Sequence, residues 1–210
     1  MENTANRAEL CGCFVTLPEP SHENHGQLFY HFYLRVQRLS GYADVLRVVV
    51  PERTLMRTEL ERGDMIFVRG QVRSYNEHTD AGRHLRIFVF ADELECRTGE
   101  PLNDVSLTGT VCRSPVLRRT PLGREICDLM LCVRRSCRRC DFLPVIAWGR
   151  TARMLAGAGH GDPLELTGRL QSREYTKILS GTAQKRIAYE ISVNSAQLLE
   201  DLSELFPEKE

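Results

Sequence analysis

The only tryptophan of this 210-residue chain, Trp148, closes the apolar stretch "DFLPVIAWGRTA", and just upstream "VRRSCRRC" holds Arg134, Arg135, Arg138 and Arg139. An indole either fills a core or offers a flat surface to another π system. Guanidinium groups stack on bases and pair with phosphates. Other reactive residue types lead nowhere comparable. Cys132, Cys137 and Cys140 follow C-x4-C-x2-C, and their CxxC would be half of a tetrahedral zinc site. The only other close pair, Cys11 and Cys13, lies far away in sequence, and neither CxxC…CxxC nor H-x3-H completes the set. The "HENH" at 22–25 lacks HExxH spacing and reads as exposed polar loop. The glycine run "AGAGHG" at 156–161 closes a predicted helix, whereas a phosphate-cradling loop opens one. No Ser/His/Asp or paired-carboxylate arrangement stands out. The expectation is a non-enzymatic protein with no cofactor and no metal.

The elements that must position these residues emerge when the chain is slid along itself. At an offset of 97 residues "YADVLRVVVPERTL" falls on "RCDFLPVIAWGRTA". Gly12 meets Gly109, Arg38 meets Arg135, Asp44 meets Asp141, Val48 meets Val145 and Arg53 meets Arg150. After a slip of one residue "VRGQVRS" from Val68 meets "LTGRLQS" from Leu166. A repeat of that length is a whole small domain, well above the roughly 20–50 residues of a solenoid unit. The reading is a divergent unit at 9–97, a linker at 98–103 ("TGEPLN"), a second unit at 104–200 and an acidic tail at 201–210.

Residues 126–135 alternate, with Cys127, Leu129, Leu131 and Val133 on one face and Asp128, Met130, Cys132 and Arg134 on the other. Phe32, Leu34 and Val36 repeat that parity in the first unit. Further strands are predicted around 105–111, 142–148, 164–171 and 186–193, with a short helix near 151–156 and a hairpin from Tyr175 around Gly181. Five main strands with one short helix between the third and fourth predict an all-β protein of two tandem OB-folds, five-stranded Greek-key barrels.

Laid out this way, "NDVSLTGTV", "DFLPVIAWGRTARML", "GDPLELTGRLQSREYT" and "YEISVNSAQLLE" resemble, in order and separation, the bacterial single-stranded DNA-binding protein family. The resemblance covers 103–200, and the first unit is a more distant version. It implies an OB-fold that wraps single-stranded DNA without reading its sequence, with Phe142, Trp148 and Tyr175 at the family's stacking positions. The family commonly works with four OB domains, which a homodimer of this chain would supply. Its acidic tip recruits other replication and repair proteins, but here Phe206-Pro207 reverses the expected order and no long linker precedes it, so a frayed acidic terminus is expected.

The charges agree with that implication. The chain is neutral, with 28 basic and 28 acidic residues, yet residues 105–197 hold fifteen basic against seven acidic and residues 10–96 hold ten against twelve. A basic second unit is hidden in the neutral total. Its cations Arg134, Arg135, Arg138, Arg139, Arg150, Arg169, Arg173, Lys177, Lys185 and Arg186 are candidate phosphate contacts. In the first unit Phe142 and Trp148 are replaced by Val45 and Pro51, which leaves Tyr75, with Arg73, Arg47 and Tyr42, as a weaker candidate set. The altered positions also fit an alternative, an OB-fold adaptor between proteins of the replication or mobile-element machinery. The N-terminal "MENTANRAEL" has neither a basic region nor an apolar stretch, and no run approaches 18 apolar residues. A cytoplasmic, nucleoid-associated protein with eight reduced cysteines and no membrane partner is expected.

Overall fold

The computed structural model describes residues 5–79, 82–137, 139–179 and 182–201. The first unit runs β1 (Asn6–Phe14), β2 (Glu19–Asn24), β3 (Gln27–Gln37), β4 (Ala43–Pro51), α1 (Glu52–Leu55), β5 (Met65–Thr79) and β6 (Gly82–Cys96). The second runs β7 (Leu102–Val111), β8 (Val116–Arg119), β9 (Glu125–Arg134), β10 (Cys140–Trp148), α2 (Gly149–Leu155), β11 (Pro163–Leu179) and β12 (Thr182–Leu198).

The predicted alternation holds in the fold. Phe32, Leu34 and Val36 on β3, like Leu131 and Val133 on β9, are buried, while Arg35 and Gln37 face water. In the first unit β1 pairs with both β3 and β5, β3 with β4, and β6 with β5, all antiparallel, while β4 and β6 run parallel. The second unit repeats each pairing with β7, β9, β10, β11 and β12. Each set closes into a five-stranded barrel, so both units are OB-folds. Leu10, Phe14, Leu46, Ile66 and Val89 fill one barrel; Leu107, Leu143, Leu164 and Ile191 fill the other.

Two features depart from the sequence reading. Each unit has a sixth strand, β2 or β8, hydrogen-bonded at the outer edge of β3 or β9. These strands bury almost nothing, so they carry no alternation to read, and "HENH" contributes His22 to β2 instead of lying in a loop. The strand predicted at 164–171 and the first arm of the hairpin predicted from Tyr175 are one strand, β11. The strands β11 and β12 pair from Leu164↔Leu198 to Leu179↔Thr182 with one bulge near Gly168, projecting beyond the barrel where no core imposes a pattern.

A bulge at Asp92 of β6, opposite Gly70 of β5, and its counterpart at Asn194 of β12, opposite Gly168 of β11, bend the long hairpins around the barrels. A Cβ on Gly70 would sit 1.9 Å from the Phe90 carbonyl oxygen and one on Gly168 would sit 2.3 Å from that of Ser192, so only glycine allows the approach.

The barrels are fused. The first strand of each, β1 and β7, pair antiparallel, making one sheet of twelve strands among the described residues. Ala8 stands opposite Val105, its own counterpart in the repeat, so the seam has local two-fold pseudosymmetry. Asn6 exchanges two hydrogen bonds with the Val72 backbone at 2.7 and 2.9 Å, and Asn103 does the same with Leu170 at 2.7 and 3.0 Å. Asp44 and Asp141, each fully buried, accept the amides of Ser172 and Ser74 from the opposite barrel, both at 2.6 Å.

Candidate nucleic-acid interface

The last residue of β10, Trp148, stands where the strand hands over to α2. The inward neighbours Val145 and Ala147 are buried, and the indole faces out, 41% exposed. Phe142 and Tyr175 are 39% and 37% exposed. A planar hydrocarbon left that open at three positions of one barrel is available for stacking.

Trp148 lines one cleft of about 380 Å³ together with Arg38, Arg124, Arg169, Gln171, Ser172 and Arg173. The cleft lies across the seam, because Arg38 belongs to the first barrel and the others to the second. Arg169 on β11 has a buried Nε with no hydrogen-bond partner among the described residues, and its Nη2 makes one long bond of 3.4 Å to Gln171. Its guanidinium has capacity left for a phosphate oxygen. Arg173 stands 5.9 Å from the Tyr175 ring centroid and 3.5 Å from Glu190, half-exposed, which places cation and ring side by side.

The predicted cations divide by what they touch. Arg134, Arg139 and Arg150 are exposed around the same barrel, as is Lys185 on β12, and Arg186 lies directly across from Tyr175. Arg135 is drawn inward. Its Nε donates to Asp141 at 2.7 Å and its Nη2 to the Ser74 carbonyl at 3.2 Å, so its charge serves the seam. That hydrogen bond to Asp141 holds the Arg135 guanidinium above the ordinary arginine range. Arg73 is likewise partly withdrawn, lying 3.8 Å over the Phe90 ring, and burial followed by the nearby Arg135 pushes its pKa down. Tyr75 is 41% exposed. Arg138 and the Lys177 side chain lie outside the described residues, as does the tail from residue 202.

Sequence reasoning missed Arg38, Arg124 and the Gln171-Ser172 pair. Arg38 was visible as the repeat counterpart of Arg135, but only the seam brings it to Trp148. No group of three His, Cys, Asp or Glu side chains placed to hold a metal ion occurs among the described residues. No helix among them is long and apolar enough to cross a membrane.

Barrel closure, parallel β4–β6 and β10–β12 pairings and an aromatic, arginine-rich cleft define a tandem OB-fold protein. Residues 102–199 match the profile of the Single-strand binding protein family. The single-stranded DNA-binding protein of Thermus aquaticus is 33% identical over 138 residues, 56% of this chain and 52% of that protein, so the chain spans about half of that relative's length. The Thermus thermophilus protein is 28% identical over 206 residues, 84% of this chain and 77% of its own, taking in both repeats. Single-stranded DNA-binding protein 2 of Streptococcus agalactiae is 30% identical over 109 residues, 49% of this chain and 80% of its own. The crystal structure of the wild-type Thermus aquaticus protein superposes with a TM-score of 0.76 at 25% identity over 93% of both chains. The chain belongs to the single-stranded DNA-binding protein family.

Proposed function

We propose that this protein binds single-stranded DNA without sequence preference, as a stoichiometric binder and not a catalyst, and protects it during replication, recombination or repair. The observation that carries the reading is the exposed Trp148 indole in one cleft with Arg124, Arg169 and Arg173. Bases stack on Phe142, Trp148 and Tyr175, at about 1–3 kcal/mol each. Phosphates run between Arg124, Arg134, Arg139, Arg150, Arg169, Arg173, Lys185 and Arg186. Every base has a π face and every nucleotide a phosphate, so this chemistry selects unpaired strands over duplex and is indifferent to sequence.

Two chains would bring four barrels together, and a closed dimer is the assembly we propose, working in the cytoplasm on exposed DNA. Competition between oligo(dT) and a duplex of equal length tests the reading. Single strands should win by a wide margin, and equal binding would overturn it.

A further inference from the structure

Two cysteines of the C-x4-C-x2-C run are brought side by side on the face that carries Phe142. Cys132 on β9 pairs directly with Phe142 on β10, and Cys140 lies two residues earlier, opposite Arg134. Their neighbours Leu131, Val133, Asp141 and Leu143 are buried, so strand alternation turns both thiols outward with the ring. Diagonal neighbours on one face of an antiparallel pair can touch, and here the Cys140 side chain is a hydrogen-bond partner of Cys132. Thr110, which pairs with Cys132 from β7, hydrogen-bonds to it as well. Both cysteines are half-buried and free.

The two sulfurs are not equivalent. Burial, and then the Cys140 thiol, push Cys132 up to about 12, so it keeps its proton at neutral pH. Cys140 is left as the nucleophile of the pair. A small two-electron oxidant such as a hydroperoxide meets such a pair in a fixed order. The Cys140 thiolate attacks a peroxide oxygen, the O–O bond breaks, and the departing hydroxide takes up the proton that Cys140 released, leaving a sulfenic acid. The Cys132 sulfur then attacks the Cys140 sulfur, the S–OH bond breaks, and the Cys132 proton departs with that hydroxyl as water. The two thiols have lost two electrons and the peroxide has gained them.

Closing the bridge moves the strand. Diagonal Cα atoms stand about 7–8 Å apart, slightly more than the roughly 4.4–6.8 Å that a disulfide spans. Cys140, the first residue of β10, is therefore drawn toward β9. The next residue, Asp141, accepts the Ser74 amide at 2.6 Å, and the Phe142 amide donates to the Ser74 hydroxyl at 2.8 Å. Bridge, seam and stacking ring follow one another along three residues.

We propose that Cys132 and Cys140 form a peroxide-responsive dithiol, whose reversible disulfide displaces Phe142 and weakens the grip of the second barrel on unpaired bases. The effect on affinity rests on the single-stranded DNA reading; the chemistry of the pair does not. In a reducing compartment such a bridge is transient, as redox-sensing disulfides there are.

The full chain is treated with a small excess of hydrogen peroxide, and its remaining thiols are blocked with iodoacetamide in denaturant before peptide mapping. A bridge between Cys132 and Cys140 within one chain is expected, in the parent and in Cys137→Ser alike. No bridge, or one made by Cys137 or between chains, would overturn the proposal. The oxidised chain should bind oligo(dT) about fivefold or more weakly, the low end of one lost stack, and recover with dithiothreitol. Cys140→Ser should bind as the reduced parent does, before and after peroxide. A bridged chain with unchanged affinity overturns the switch. A reduced parent that does not bind oligo(dT) removes the single-stranded DNA reading, and the switch with it, but not the mapped bridge.

Discussion

Asp44 of the first barrel accepts the backbone amide of Ser172 in the second at 2.6 Å, and its own Arg38 reaches past it to the Ser172 carbonyl at 3.1 Å. The clasp is reproduced with the barrels exchanged, Asp141 and Arg135 holding Ser74. Two aspartates that aligned in the repeat therefore serve the union of the two copies. Each carboxylate is fully buried, which is tolerable only because a guanidinium and a backbone amide both donate to it.

Removing either carboxylate strands those donors. Asp141→Ala should cost about 3 kcal/mol, the low end for breaking a buried pair, and Asp44→Ala about the same because the environments match. Urea denaturation of both variants checks this. A loss well under about 1 kcal/mol in either would show that the clasp contributes little to stability.

Trp148 gives the opposite pattern. Its exposed ring contributes little to the core, so Trp148→Ala should move stability by no more than about 0.5 kcal/mol. Affinity for oligo(dT) should fall about fivefold to a hundredfold, one base stack. A sharply lowered melting temperature with unchanged affinity would make Trp148 a packing residue.

His31 confers a pH dependence whose sign is fixed by its surroundings. Burial, and then Arg47, hold its pKa below the ordinary 6.5, with Glu19 pulling weakly the other way. The unfolded chain binds the proton more readily, so this contribution is fully present above about pH 6.5 and is lost as pH falls toward the depressed folded value. His31→Gln should flatten that part of the stability profile between about pH 7.5 and about pH 5.5. An unaltered slope would contradict the environment described.

The thiols should separate by reactivity. Burial, reinforced by the neighbouring Cys140, pushes Cys132 up to about 12, whereas Cys137 is exposed in the loop between β9 and β10. Iodoacetamide at about pH 8 should label Cys137 and spare Cys132, because the thiolate is the nucleophile. Equal labelling on a peptide map would contradict it.

The barrels were legible in the sequence because burial writes a period of two. The parity shared by Leu131 and Leu34 identified the same strand twice, and the spacing of five strands and a helix implied the closure. The edge strands β2 and β8 were not legible, since residues such as Glu23 and Arg118 face water and leave no pattern. The pairing of β1 with β7 was hidden for a related reason. It uses backbone groups along the strands, which leave no side-chain signature in the sequence. Comparing the repeats placed Phe142 and Trp148 outside the essential core, and their exposure agrees with that reading. It did not separate Arg135 from its exposed neighbours, because only the folded chain shows that its charge meets Asp141.

One titration tests the Trp148 cleft most directly. The only tryptophan is the one placed in the cleft, so its fluorescence on adding oligo(dT) at several salt concentrations reports the proposed contact itself. Quenching is expected, with log K falling linearly in log salt at about 0.7 per phosphate neutralised. Neither quenching nor salt-dependent binding would contradict the central claim that this cleft takes up single-stranded DNA.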